Sequence, residues 1–176
     1  MLIRFPIDFP RTRGAYVRMT GAVRDLADSL PGGVKALRAP TYLCAVLYVA
    51  SVAALLLRQD ARVVRALLIP AACFLVATVL RPMIGRMRPY DHFDAPPVGR
   101  YRRGKGRSMP SRHAASAAAI ACAVIYAFPS PITCVCMVAL SVLIAALRVL
   151  TGQHYASDAV AAIAMSFIIS LIGYTI

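Results

Sequence analysis

The chain lacks several residue types, and each absence narrows the possible functions. Its 176 residues include no tryptophan and no glutamate, and its three histidines are far apart in sequence. Aromatic residues make up only 8% of the chain, so the stacking side chains of a single-stranded nucleic-acid binder are sparse. The five cysteines form no metal-ligand pattern, and we interpret them as small apolar packing residues. The sequence therefore favours neither a nucleic-acid partner nor a metal site.

Acidic residues are also scarce beside the basic ones. The chain has seven aspartates and 20 lysines and arginines, which gives a formal net charge of +13. Such a balance suits nucleic acid, an anionic membrane surface or an anionic substrate. Hydrophobic residues make up 60% of the chain and its mean hydropathy is +0.68, which is more apolar than a soluble domain of average composition. The combination favours a membrane protein with an anionic ligand.

Long apolar runs predict an all-α integral-membrane bundle of about five transmembrane helices. They cover residues 41–57, about 63–80, 114–147 and about 158–176. The third run is long enough for two helices, and the prolines at 129 and 131 divide it. Residues 14–30 show helical spacing of apolar residues with charges opposite, which predicts an amphipathic helix at the membrane interface or on the flank of the bundle. We therefore divide the chain into an N-terminal segment, residues 1–38, and a membrane-embedded domain, residues 39–176.

Three short polar motifs lie at the edges of these apolar runs. They are Arg81-x6-Arg88-Pro89, Pro110-Ser111-Arg112-His113 and Arg148-x5-His154-x3-Asp158. Arginine offers planar, bidentate donors that match phosphate oxygens. The first two arginines are about two helical turns apart, so we expect them to share one face of a helix end. Ser111 opens the third apolar run, where free backbone N–H groups and the helix dipole favour an anion.

The histidines in these motifs predict a phosphate-transfer centre. His154 and Asp158 are four residues apart at a predicted helix start, and so on one face. A carboxylate on one ring nitrogen would leave the other free to attack phosphorus, and His113 could protonate the leaving oxygen. Each residue alone also has a purely structural interpretation. His154 and Asp158 could be a polar pair at a helix start, and Ser111 could be a helix N-cap. Arg81 and Arg88 could be interface arginines that set membrane topology. Their combination favours catalysis.

Together, the three motifs resemble the signature of the type 2 phosphatidic acid phosphatase superfamily, which also contains bacterial class A acid phosphatases and vanadium haloperoxidases. That signature is written K-x6-R-P, P-S-G-H and S-R-x5-H-x3-D, and the order and spacing agree over roughly residues 63–176. The resemblance implies a histidine nucleophile at His154, its orienting carboxylate at Asp158 and a general acid at His113. It also implies phosphate hydrolysis without a metal or other cofactor. The implied phosphate clamp consists of Arg81, Arg88, Ser111, Arg112 and Arg148.

The sequence departs from this signature at three positions. Arg81 stands where lysine is usual, which keeps the charge, and Arg112 stands where glycine is usual, so its side chain must point away from the phosphate or add a contact. Leu147 replaces a serine before Arg148 and removes one small donor. None of these changes removes a group that the resemblance makes catalytic.

The resemblance implies a membrane lipid phosphatase that acts through a phosphohistidine on a polyprenyl phosphate, polyprenyl diphosphate or phosphatidate. Two alternatives remain at this point: a lipid phosphotransferase on the same scaffold, and a non-catalytic membrane protein that binds an anionic lipid or partner. A basic loop follows the first motif, and we interpret it as a solvated loop with positive-inside bias. Its basic residues are Arg100, Arg102, Arg103, Lys105 and Arg107.

The distribution of basic residues also predicts which side of the membrane holds the site. With five helices, 17 of the 20 lysines and arginines fall on the side of the catalytic motifs. The positive-inside rule then places that side in the cytoplasm of a bacterial-type cell membrane. If residues 14–30 crossed the membrane as a sixth helix, the prediction would reverse.

Overall fold

The structure is a computed structural model that describes residue 5 and residues 7–103 and 107–176; Lys105 of the basic loop lies outside them. All regular structure in this part of the chain is helical. The helices are α1 (Arg13–Ser29), a short 3-10 helix (Gly33–Arg38), α2 (Ala39–Leu57), α3 (Arg62–Ile84), α4 (Pro89–His92), α5 (Arg112–Ala127), α6 (Pro131–Leu150) and α7 (Ala156–Thr175). The predicted all-α class is confirmed.

The helix α5 forms the centre of the bundle, with α2, α3, α6 and α7 packed around it. Its buried residues are nearly all alanines, and small side chains let neighbouring backbones approach closely in a membrane bundle. At 16 residues it is shorter than its neighbours. The break before α6 lies at the predicted prolines, where Ser130 caps the helix by accepting a hydrogen bond from the Thr133 N–H at 3.0 Å.

The outer helices carry large apolar side chains on their exposed faces, including Val46, Leu75 and Val135. Within the described residues, four helical segments are long and apolar enough to cross a membrane: Gly33–Leu57, Arg62–His92, Pro131–Leu150 and Ala156–Thr175. With α5 they make the bundle of about five helices that the sequence predicts. Contiguous exposed apolar faces of this kind are solvated by lipid tails in membrane proteins.

The amphipathic helix α1 lies across one end of this bundle. Near its start, Tyr16 is fully buried, and its hydroxyl donates to the Gly152 carbonyl between α6 and α7 at 3.3 Å. Gly152 has φ +75°, and a Cβ there would lie 2.4 Å from the Tyr16 hydroxyl, so only glycine suits this contact. After α1 the chain returns through the 3-10 helix to the start of α2. Both ends of α1 therefore lie at the same end of the bundle.

One predicted feature of the fold is wrong. Helix α3 continues past position 80 to Ile84 and then ends at Gly85, which has φ +61° and caps the helix in the left-handed conformation. Arg88 follows in extended backbone as the N-cap of α4. Arg81 and Arg88 therefore do not share one face of a helix end, because the glycine turns the chain between them.

Candidate active site

The three polar motifs meet at the end of the bundle where α1 lies. The Ser111 N–H donates to the Asp158 carbonyl at 3.1 Å, which joins the second motif to the third. The His154 N–H donates to the Arg148 carbonyl at 3.2 Å and so folds the loop between α6 and α7 back on the end of α6. The backbone alone therefore brings all the histidines and carboxylates of these motifs to one place.

His154 and Asp158 form a buried pair. His154 immediately precedes the N-cap of α7, and its Nδ1 lies 3.4 Å from Asp158 Oδ2. The same carboxylate oxygen accepts from the Tyr155 N–H at 3.0 Å, which holds Asp158 at the first turn of the helix. Burial lowers the pKa of His154 below its usual range, and the neighbouring Asp158 opposes that shift. The ring is thus neutral near pH 7, with Nδ1 facing the carboxylate and Nε2 turned away from it.

Three residues that sequence reasoning missed hold Asp158 in place. The Ser108 hydroxyl donates to Asp158 Oδ2 and lies 3.4 Å from His154 Nδ1. Arg86 Nη1 donates to Asp158 Oδ1 at 2.6 Å, and its Nη2 donates to Asp8 Oδ2, also at 2.6 Å. Arg86 is 1% exposed, so one buried guanidinium links the N-terminal segment to the carboxylate of the third motif. Arg86 lies inside the first motif, but its partner Asp8 is 78 residues away, and no local pattern signals such a contact.

The two arginines of the first motif reach the site from different elements. Arg81, in the last turn of α3, is buried and donates through Nε to the Arg107 carbonyl at 3.0 Å, and through Nη2 to the same oxygen. Arg88 donates to Gln153 Oε1 at 3.5 Å, and its Nε is buried without an acceptor among the described residues. A buried N–H without a partner is costly. An anion beside Arg88 would supply that acceptor.

The second motif surrounds the start of α5. Ser111 is fully buried and is the N-cap of this helix, since its hydroxyl accepts from the Ala114 N–H at 3.5 Å. The Arg112 guanidinium lies 5.9 Å from the centre of the Phe74 ring, so this side chain extends along the face of α3. His113 follows, and its side chain faces two adjoining cavities.

The cavities at this end differ in character. One, of about 380 Å³, is lined by His113 and Arg148 together with Arg38, Arg100 and Gln153 among others; we call it the basic cavity. A second, of about 330 Å³, lies between α2, α3 and α5 and is lined mainly by apolar groups such as Phe74 and Ile120; we call it the apolar cavity. His113 borders both. A third space, which opens to solvent, is lined by Arg88, Arg112 and Gln153.

The structure thus brings the predicted site residues to one end of the bundle, in two layers. A buried layer holds the groups that the capping and backbone contacts fix; its members are Arg81, Ser111, His154 and Asp158. An accessible layer lines the cavities and consists of Arg88, Arg112, His113 and Arg148. Leu147 also lines the basic cavity, so the missing serine leaves an apolar wall there. Within the described residues no group of three or more His, Cys, Asp or Glu side chains could hold a metal ion.

Comparisons with known proteins identify the family and a similar fold. The family model of the PAP2 superfamily matches residues 62–176. The fold is similar to the crystal structure of the first transmembrane PAP2 type phosphatidylglycerolphosphate phosphatase from Bacillus subtilis, with a TM-score of 0.69 and 20% sequence identity. That similarity covers 93% of this chain and 84% of the other. No curated protein matches the sequence.

Proposed function

Because the chain belongs to the PAP2 superfamily and is an integral-membrane helical bundle, we propose that it is a metal-independent lipid phosphatase with His154 as its nucleophile. The observation that carries this proposal is the buried His154–Asp158 pair, which lies beside the positive charges of Arg81 and Arg88. Arg148 lines the basic cavity at the same end of the bundle. A neutral imidazole held by a carboxylate among arginines is suited to attack a phosphate ester.

The arginines bind and polarise the phosphate. Arg81 keeps guanidinium N–H groups beyond those that hold the Arg107 carbonyl, and Arg88 contributes its unpaired buried Nε. Arg148 approaches from the end of α6 on the side of the basic cavity. Charge-assisted hydrogen bonds of this kind stabilise the equatorial oxygens as negative charge develops on them.

The reaction proceeds in two displacements. His154 Nε2 attacks phosphorus, the bond from phosphorus to the leaving oxygen breaks, and its electron pair stays on that oxygen. His113 donates a proton to the leaving oxygen and then takes one from a water molecule. The oxygen of that water attacks the phosphohistidine, which releases inorganic phosphate and restores His154. Asp158 stabilises the positive charge that appears on the imidazole during the first displacement.

The position of His113 between two cavities favours a lipid substrate. A general acid must lie at the leaving oxygen, so the rest of the leaving group begins next to His113. The apolar cavity that His113 borders is lined by Phe74, Ile120 and Ile144 and lies between membrane-spanning helices. An acyl-glycerol or polyisoprenoid tail can enter it from the lipid phase between α2 and α3. Leading candidates are polyprenyl diphosphate, polyprenyl phosphate, phosphatidate and phosphatidylglycerol phosphate.

The test is phosphate release by the purified protein in detergent from a panel of these lipids, with and without EDTA. We expect turnover of at least one of them in EDTA, inhibition by vanadate, and a phosphoprotein that is labile in acid and stable in alkali. His154→Ala should abolish both turnover and labelling while the helical content stays unchanged. Turnover that is lost in EDTA and restored by a divalent ion would contradict metal independence.

A phosphotransferase would give a different result in the same assay. Its phosphoprotein would form normally and little inorganic phosphate would be released. Turnover would need an added lipid or sugar alcohol, which would itself become phosphorylated. Activity with water alone at the rate seen with added alcohols would contradict the transferase.

A further inference from the structure

Two arginines outside the predicted phosphate clamp line the basic cavity. Arg38 closes the 3-10 helix and caps α2, and Arg100 belongs to the loop after α4. With Arg148 they place three guanidinium groups around one space of about 380 Å³, next to His113. Cavities of this size accommodate small ligands or ligand headgroups.

The charges of Arg38 and Arg100 are not neutralised by the protein. The ion pairs of the described residues engage Arg62, Arg86, Arg103 and His154, and no acidic side chain lies within ion-pair distance of Arg38 or Arg100. Arg38 is also close enough to Arg148 for their like charges to repel. Cations that converge on one space without a carboxylate among them create a strong positive potential there, and an anion relieves their repulsion.

The backbone that carries these two exposed arginines is held in position. The Val98 N–H, two residues before Arg100, donates to the Thr151 carbonyl at 2.9 Å, and Gln153 Nε2 donates to the Val98 carbonyl at 3.5 Å. The loop after α4 is thus bound to the loop that carries His154. Arg38 lies where the 3-10 helix passes directly into α2. A backbone fixed in this way keeps both arginines at the wall of the basic cavity.

The cavity lies on the leaving-group side of the reacting phosphate. His113 lines it, and on the proposed mechanism His113 faces the oxygen that departs. A lipid with one phosphate leaves as a neutral alcohol, which gains nothing from three cations. A lipid whose headgroup carries a second phosphate leaves as an anion, and its charge falls in this space.

We infer that Arg38 and Arg100, which line the same cavity as the clamp residue Arg148, form a subsite for a second, non-reacting phosphate of the substrate headgroup. The inference rests on the proposed function and narrows its substrate class to lipids with two phosphates. Such a headgroup can be a diphosphate, as on an isoprenoid alcohol, or a phosphodiester that carries a terminal phosphate, as in phosphatidylglycerol phosphate.

The experiment compares Arg38→Gln, Arg100→Gln and the double variant with Arg18→Gln, a control that removes an exposed arginine of α1 at the same end of the bundle. Two substrate pairs are compared. Farnesyl diphosphate and farnesyl phosphate differ by one phosphate, and phosphatidylglycerol phosphate and phosphatidate differ by one glycerol phosphate. Binding of the same four lipids to the His154→Ala protein, with and without the arginine substitutions, is measured in parallel by titration calorimetry.

For the preferred pair we expect each single variant to lower kcat/KM for the two-phosphate lipid at least about tenfold, the effect of losing one charge-assisted hydrogen bond. The one-phosphate partner should change less than about threefold, and Arg18→Gln should change neither. If the farnesyl pair shows this difference in kcat/KM, the subsite binds the second phosphate of a diphosphate. If the phosphatidyl pair shows it, the subsite binds the phosphodiester of a headgroup with a terminal phosphate.

Two outcomes separate the possible failures. Equal losses for one- and two-phosphate lipids, or no loss in the double variant, would overturn the subsite even if the protein is a phosphatase. If the unaltered protein releases phosphate from none of the four lipids, the proposed function fails, and the calorimetry still decides the subsite. Tighter binding of two-phosphate lipids that depends on Arg38 and Arg100 would support it, and binding independent of both would refute it.

Discussion

Asp8 should be necessary for full activity although it lies in the N-terminal segment, far in sequence from every motif. Its Oδ2 accepts from Arg86 Nη2 at 2.6 Å, and its Oδ1 accepts from the Ser157 hydroxyl. Arg86 in turn holds Asp158 Oδ1 at 2.6 Å. Two carboxylates thus fix one buried guanidinium from opposite sides, and the second of them is the partner of His154.

Asp8→Ala leaves Arg86 Nη2 and the Ser157 hydroxyl without their acceptor. Loss of one partner of a buried ion pair costs about 3–5 kcal/mol, but here Arg86 keeps Asp158, so we expect about 2–3 kcal/mol. For a chain of this size that corresponds to a fall in melting temperature of ~4–12 °C. Asp8→Asn loses the charge and exchanges one acceptor oxygen for an NH2 donor, but its remaining oxygen can still accept from Arg86, so its melting temperature should fall by less than that of Asp8→Ala.

Catalysis should suffer as well, because a guanidinium held on one side only can rotate and carry Asp158 with it. We expect kcat for Asp8→Ala to fall about tenfold with little change in KM, which corresponds to about 1.4 kcal/mol of lost transition-state stabilisation. The assays are thermal unfolding in detergent and steady-state phosphate release, with the exposed Asp25→Ala as the matched control. An Asp8→Ala protein that melts and turns over like that control would refute the role of the N-terminal segment.

Three further predictions concern the reaction and its place in the membrane. His113→Ala should slow substrates with poor leaving groups far more than substrates such as p-nitrophenyl phosphate; equal losses across leaving groups would argue against a general acid. The pKa of His154 is lowered by burial, so turnover should persist as pH falls through ~6.5, the usual histidine value. In the same range stability should decline, because the unfolded chain takes up a proton there before the folded one does; a pH–rate profile that falls at 6.5 would contradict this. In a cysteine-free protein, an impermeant thiol reagent applied to intact cells should label Ala61→Cys but not Arg103→Cys if the site faces the cytoplasm, and the reverse pattern would place the site outside.

The features that sequence could predict are local or repeated. Uncharged runs predict the apolar helices because the bilayer imposes their length and composition, and the break before α6 follows from prolines at 129 and 131. The motifs could be found because a phosphate clamp and a histidine–carboxylate pair need particular residues at set spacings. The helical spacing of apolar residues over 14–30 predicts a helix that agrees with α1, Arg13–Ser29, while its position at the membrane interface or on the flank of the bundle stays a prediction.

The features that sequence missed depend on contacts between distant segments. Gly85 was a visible helix-stop signal, and a reading that weighed it would not have placed Arg81 and Arg88 on one helix face. Nothing comparable marks Ser108, whose contact with Asp158 spans 50 residues, because a serine in a polar loop is unremarkable. From the sequence, Arg100 is one of several arginines in a loop expected to be solvated. In the structure, the contact of this loop with Thr151 places Arg100 at the basic cavity.

The N-terminal segment is where these missed features concentrate. The family model begins at residue 62, yet Asp8, Tyr16 and Arg38 all lie before that point and contact the site or its cavity. On the proposed mechanism the motifs supply the reacting groups, while the segment before them holds Asp158 through Arg86 and contributes Arg38 to the cavity that His113 lines. A position that orients a catalytic group or borders its leaving group can change specificity without removing the chemistry. On this reasoning, the substrate preference of this chain is set largely by residues that the shared motifs do not contain.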